Sequence, residues 1–452
     1  AFLVKECNNL RPLFPRDVPF NAEEQEVMDT LHVISQQPSE SFGAHAISMT
    51  STASDVLAVA LLQKEAGIKT PLRISPLFET LEDLDNAADV MDALFSIPSY
   101  KAAMNGAHEV MIGYSDSGKD AGKLAACWAQ YRAQEKLYEV AAKHDVKLTL
   151  FHGRGGSIGR GGGPVEYALL SQPPGTVDGR VRVTEQGEVI QQKFSIKEVA
   201  IHNMMQYATA VLKASLTPPI APKAEWRRIM DEMSTLSCDT YRSVVRGHKD
   251  FVPYFRQVTP EQELGRLYIG SRPAKRKASG GIESLRAIPW IFAWTQTRLL
   301  LPSWLGVGEA LQNAVDKNEL EHIKEMIQEW PFFYFFLDMI DMVRVKADGS
   351  IAEFYDDCLA TPDIRPLGDD LRERLQKTKD VAAEVIQDLT IQSERDVLRS
   401  SVIVRNTYAD PLNLLQAEIL RRIKVEGRVN TTLEDALMMT IAGISAGMKN
   451  TG

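Results

Sequence analysis

The feature that most constrains the fold is an abrupt change of pattern near Gln186. Before it, short apolar runs alternate with helical periodicity. After it, helical periodicity stands almost alone. The apolar runs are Ala46–Thr50, Leu72–Phe78, Glu109–Tyr114, Lys147–Phe151 and Val181–Thr184. Between them lie helix candidates over 55–66, ended by Gly67, over 81–94, ended before Pro98, and over 121–143. Such alternation predicts a parallel sheet, open or closed into a barrel. The second half predicts helices over 197–216, 225–246, 309–328, 332–346, 369–389, 411–423 and 432–448, with short strands only near Ile269 and Ala287. The expected class is α/β with predominant helix.

Composition narrows the alternatives. With 44% hydrophobic and 25% charged residues, the chain is neither disordered, collagen-like nor one long coiled coil. A net charge of −9 argues against nucleic acid as the main partner. Cys7, Cys127, Cys238 and Cys358 lie far apart with no metal-type spacing, which predicts reduced thiols and a cytoplasmic setting. The densest apolar stretch, Trp330–Leu337, is too short to span a membrane and is bracketed by Glu329 and Asp338. No signal-peptide layout opens the sequence, and its first residue is Ala, as expected of a fragment or processed product.

Polar residues follow the strand candidates. Glu79 comes after Phe78, Ser115-Asp116 after Tyr114, His152-Gly153-Arg154 after Phe151, and Glu185 after Thr184. In parallel α/β sheets these strand ends carry the site. Helix capping is the plainer account of Thr80–Asp83 and Ser115–Ser117 taken singly. Several polar residues in register favour a site. Glu79 and Asp116 are hard oxygen donors of the kind that hold Mg²⁺ or Mn²⁺, although by spacing alone two solvated acids are the better reading. Seven of the fourteen residues from Phe151 to Pro164 (FHGRGGSIGRGGGP) are glycine, with His152, Arg154 and Arg160 among them. Glycine frees the backbone, and arginine forks suit phosphate or carboxylate, so the segment reads as an anion-binding lid. It lacks the Gly-Lys-Ser/Thr of a P-loop. Farther on, Arg286 is set among apolar and aromatic residues (SLRAIPWIFAW), where an arginine requires an anionic partner. Trp290, Trp294 and Trp304 read as core. The last helix, before Gly447–Gly452, is strongly apolar, so the chain end is expected to be tied into the interior.

Together FHGRGGSIGRGGGP, MIGYSDSGKDAG, VTEQGEVI, GSRPAKRK, SLRAIPWIFAWTQTR and the closing AGMKNTG closely resemble the phosphoenolpyruvate carboxylase family, in that family's order, from about Glu26 to Gly452. The resemblance implies a (β/α)8 barrel wrapped in helices and assembled as a homotetramer. Residues 1–300 would supply the C-terminal barrel strands and catalytic loops, and 301–452 a helical region with an inhibitor site, all in one continuous domain. It implies carboxylation of phosphoenolpyruvate by bicarbonate to oxaloacetate and phosphate, with Mg²⁺ or Mn²⁺ and without biotin. Aspartate or malate would inhibit. By the same resemblance, Glu79 and Asp116 would hold the metal, and Arg272 and Arg286 the substrate phosphate. His152 and Arg154 would handle carboxyphosphate and the CO₂ it releases. Arg160 would serve both the lid and the inhibitor site, the latter with Lys346, Arg405 and Asn450.

Family members are about twice as long. The histidine of an HPTE-type segment, a further substrate arginine and the early barrel strands lie in the half this sequence does not contain. The chain is therefore read as a C-terminal half, expected to be insoluble or inactive alone. The competing reading is a non-catalytic dicarboxylate-sensing subunit. The metal and carboxyphosphate residues count against it, because a sensor has no use for them. A generic phosphate-binding barrel with a Schiff-base lysine is disfavoured, since Lys147 begins its strand rather than ending it.

Overall fold

The computed structural model describes residues 1–15, 18–154, 163–185, 187–264, 285–386, 393–427 and 431–449. The order along the first part is α1 (Phe2–Asn8), α2 (Ala22–Ser35), β1 (Ala44–Ile47), α3 (Ala53–Glu65), β2 (Arg73–Phe78), α4 (Leu81–Phe95), α5 (Pro98–Ala103), β3 (Ala107–Gly113), α6 (Ser115–Ala121), α7 (Lys123–Lys143), β4 (Lys147–Gly153), α8 (Val165–Leu170) and β5 (Arg182–Val183). Helices follow: α9 (Gly187–Phe194), α10 (Lys197–Leu216), α11 (Ala224–Val245), α12 (Phe251–Val258), α13 (Ala287–Gln296), α14 (Val307–Asp316), α15 (Leu320–Glu329), α16 (Pro331–Lys346), α17 (Gly349–Leu359), α18 (Arg365–Ile386), α19 (Ser393–Glu426) and α20 (Thr431–Met448). The class is mixed α/β with helix predominant, as expected. Among the described residues no helix is long and apolar enough to cross a membrane.

The chain divides into two compact units. The first comprises residues 1–113, 129–153 and 175–183 and contains the whole sheet. Its five strands run parallel in the order β1-β2-β3-β4-β5. Phe78 pairs with Ile112, Ile112 with His152, and His152 with Val183, so one rung of side chains crosses four strands near their C-terminal ends. Phe78 and Ile112 are fully buried, as one face of a helix-covered parallel sheet requires. Helix α4 starts where Thr80 and Asp83 form a reciprocal capping box, bearing out the capping expected there.

The second unit comprises residues 114–128, 154–174 and 184–452. All six tryptophans of the chain lie in it and are fully buried. Trp226 stacks on Trp330 at 5.9 Å, Trp128 meets Trp330 edge-on at 5.8 Å, and Trp290 meets Trp294 edge-on at 5.6 Å. These rings bear out the core role expected of Trp290, Trp294 and Trp304. A second core element is polar. Gln296 Nε2 donates to Ser445 Oγ at 3.0 Å, Asn413 Nδ2 to Gln296 O at 2.6 Å, and Tyr355 O–H to Gln416 Oε1 at 2.8 Å, linking α13, α17, α19 and α20. Residue Met448, near the chain end, is completely enclosed.

Several sequence expectations need correction. Ala287 opens helix α13 rather than lying near a strand, and Ile269 falls outside the described residues. The single helix expected over 309–328 is two, because Asn318 takes a left-handed backbone (φ 63°) between α14 and α15. Gly122 (φ 79°) likewise separates α6 from α7, which starts at Lys123 rather than 121. Ser115 is not a cap. It is the first residue of α6, whose N-cap is Tyr114. Pro411, expected to start a helix, lies inside the long α19. Proline costs a helix one backbone hydrogen bond, and the run here continues through it.

Candidate functional site

In the first unit, Glu79 follows β2 and is 3% exposed. Met49 turns its backbone into the left-handed region (φ 58°) and donates its N–H to Glu79 Oε1 at 2.8 Å. A methyl group on Gly113 would stand 2.8 Å from Glu79 Cα, so only glycine lets the end of β3 approach this close. Carboxylate oxygens are hard donors of the kind a divalent cation such as Mg²⁺ takes, and Glu79 is of that chemical type. His152 is buried on the rung shared with Phe78 and Ile112. Beside it, Arg182 pairs with Glu109 at 2.8 Å and lies over the Phe151 ring at 4.3 Å. This ion pair was not anticipated. Its members are 73 positions apart, and only the register of β3, β4 and β5 brings them together.

In the second unit, Asp116 is half-buried in the first turn of α6, where a carboxylate also complements the helix dipole. Arg154 is buried, with its guanidinium 5.8 Å from the centre of the Phe335 ring. Burial pulls its pKa below the ordinary arginine value, and the nearby Tyr114, Tyr207 and Glu185 oppose that pull. Glu185 in turn accepts from Lys193 Nζ at 2.6 Å and from the Tyr207 hydroxyl. Burial raises the Tyr207 phenol above the usual tyrosine range, as does its bond to Glu185. Glu185 was singled out from its place after a strand. Lys193 and Tyr207 were not, since a helical Lys and Tyr carry no signal until α9 and α10 turn them to one carboxylate. Arg286 is the half-buried N-cap of α13, and the Lys119 ammonium donates to the adjoining Leu285 carbonyl.

A third group of cations, also in the second unit, sits at the end of α20. Lys346 Nζ donates to Met448 O at 2.8 Å, and Arg405 Nε donates to Gly447 O at 2.6 Å. Burial pulls the Lys346 pKa down to about 8, helped by Arg405, Lys449 and Arg298. Burial also lowers Arg405, and it lowers Lys449 with help from the charge of Arg405. Of these cations Lys346 is buried, Arg405 half-buried and Lys449 exposed, and Arg298 is paired with Asp410. Arg160, Arg272 and Asn450 lie outside the described residues.

The family model for phosphoenolpyruvate carboxylase matches residues 1–452. The chain belongs to the phosphoenolpyruvate carboxylase family. It is 54% identical over 452 residues to the phosphoenolpyruvate carboxylase of Marinomonas sp. (strain MWYL1) and, over the same length, 54% identical to that of Shewanella loihica. It is 53% identical over 456 residues to that of Escherichia fergusonii. Each match takes in 100% of this chain and 52% of the relative. The chain thus spans about half the length of the curated relatives it matches. Of the residues predicted from resemblance to phosphoenolpyruvate carboxylases, Glu79 and His152 lie in the first unit. Asp116, Arg154, Arg286, Lys346 and Arg405 lie in the second, where the last two are brought to one helix end.

Proposed function

We propose that this chain is the C-terminal half of a phosphoenolpyruvate carboxylase and supplies most of its reacting groups. The observation that carries the reading is the family match across all 452 residues. In the reaction, a bicarbonate oxygen attacks phosphorus, and the bond between phosphorus and the enol oxygen breaks. Carboxyphosphate and the enolate of pyruvate result. Carboxyphosphate splits into CO₂ and phosphate, and the enolate carbon takes up CO₂ to give oxaloacetate.

Each intermediate is an anion, which explains the residue types. Arg272 and Arg286 bind the substrate phosphate as bidentate forks. His152 and Arg154 hold carboxyphosphate and the CO₂ derived from it. The enclosure of Arg154 strengthens its interaction with a developing negative charge, because little water competes. The nearby Glu185 favours the charged form of that guanidinium. Arg160, on the glycine-rich lid, covers the enolate against protonation by water. Glu79 and Asp116 would hold Mg²⁺ or Mn²⁺, which when bound supplies Lewis-acid stabilisation of negative charge on oxygen.

Aspartate or malate binds Lys346, Arg405, Asn450 and Arg160 in this reading. The shared Arg160 then links inhibitor to lid, because the inhibitor favours the state in which the lid is away from substrate. The full-length enzyme is a homotetramer with a closed (β/α)8 barrel, of which this sheet is one part.

The test is oxaloacetate formation, coupled to malate dehydrogenase, with phosphoenolpyruvate, bicarbonate and Mg²⁺. Turnover is expected only when the chain is mixed with the N-terminal half of a close relative. Turnover by the chain alone would show that the other half is dispensable. If both are silent while aspartate raises the melting temperature, a sensing subunit is the better reading.

A further inference from the structure

Arg298 follows α13 and closes the SLRAIPWIFAWTQTR segment, in which only Arg286 was given a role. Its side chain is 1% exposed, and its backbone is left-handed (φ 61°), which a residue with a Cβ adopts only when its surroundings impose it. Its three nitrogens are directed at three separate acceptors. Nε donates to Lys346 O at 2.8 Å, Nη1 to Asp410 Oδ1 at 2.5 Å, and Nη2 to Asn406 Oδ1 at 3.4 Å. Its own carbonyl accepts the N–H of Asp348 at 3.0 Å, which fixes the turn between α16 and α17.

These acceptors are not scattered. Lys346 is the final residue of α16 and one of the two cations at the end of α20. Asn406 adjoins Arg405, the other. One buried planar fork therefore joins the Lys346 carbonyl to side chains of α19, the helix that carries Arg405. A lysine at 298 would hold the charge but not the fork, since an ammonium is a point donor on a flexible stem.

Resting on the inhibitor-site reading above, we infer that Arg298 is the positioning residue of the dicarboxylate pocket. By clamping the Lys346 carbonyl to the Asn406–Asp410 face of α19, it sets the separation of Lys346 and Arg405, and so the length of diacid the pocket accepts. A residue that only stabilised the fold would alter how much protein is folded, not which diacid the folded protein prefers.

The experiment is calorimetric titration of the 452-residue chain, mixed with the N-terminal half of a close relative, with aspartate, malonate and glutarate, at a temperature where circular dichroism shows each mixture folded. Wild type is expected to prefer the four-carbon diacid. Arg298→Gln is expected to bind aspartate about tenfold more weakly and to lose most of its preference over glutarate. Arg298→Lys is expected to behave like Arg298→Gln. Asn406→Ala removes only the longest of the three bonds and is expected to shift the preference the same way by a smaller factor, so it serves if Arg298→Gln does not fold. A folded Arg298→Gln or Asn406→Ala with wild-type affinity and wild-type preference would overturn the inference. If wild type binds no diacid better than a Lys346→Met control, the pocket reading itself falls, and this inference with it.

Discussion

Lys346 shows how position turns an ordinary side chain into a sensor of solution conditions. Its pKa in the folded chain is about 8, lowered by burial and by Arg405, Lys449 and Arg298, from an ordinary value of 10.5. The group therefore sheds its proton on folding between about pH 8 and 10.5, and its penalty on stability shrinks as pH rises through that window. Anion binding runs the other way, because it uses the charged form. Aspartate affinity is expected to fall about tenfold between pH 7 and pH 9, and a flat titration profile would count against Lys346 as a ligand. Arg154 gives a second prediction. Arg154→Lys keeps a charge but loses the planar, multi-donor guanidinium, so in the reconstituted enzyme kcat is expected to drop by roughly 10²–10³. Unchanged turnover would remove Arg154 from the chemistry. Glu79, His152 and Arg154 could be singled out in the sequence because each lies within three residues of the end of an apolar run. Arg298 and Tyr207 were not, because each acts on a partner tens of residues away, nor was Lys193, whose partner lies eight residues back outside any helix, and spacing carries no trace of either.

The helices of the second unit show what periodicity conveys and what it omits. It located nearly every long helix, since an apolar stripe is needed to bury one face. It missed the break at Asn318 and the passage of α19 through Pro411, because a left-handed residue and a tolerated proline are decided by packing rather than by pattern. Glycines sort along the same line. A methyl on Gly308, in α14, would lie 2.8 Å from Thr378 Cα on α18, backbone that cannot swing aside. Nothing stands within 4 Å of one on Gly349, the first residue of α17. Gly308→Ala is expected to cost about 1–3 kcal/mol in urea unfolding, while Gly349→Ala is expected to be neutral or slightly stabilising. Equal midpoints for the two variants would mean that α14 and α18 are not packed this closely.

On the scale of the molecule, the alternation that breaks off near Gln186 did forecast a parallel sheet followed by helices. It could not forecast the division into units, because α7 and β4 are each continuous with residues of the other unit and no linker composition marks the crossing. A five-stranded parallel sheet has two outer strands, β1 and β5. Parallel sheets are normally covered or closed, and open edges promote association. The chain alone is accordingly expected to aggregate more than an equimolar mixture with the other half of a relative, as light scattering would reveal. The confinement of every tryptophan to one unit has a spectroscopic consequence. Excitation at indole wavelengths reports the all-helical part and is blind to the sheet, whose folding appears only in tyrosine emission or far-ultraviolet dichroism. A titration with denaturant read in both ways distinguishes one melting body from two without any label, with coincident curves for the first case and separated curves for the second.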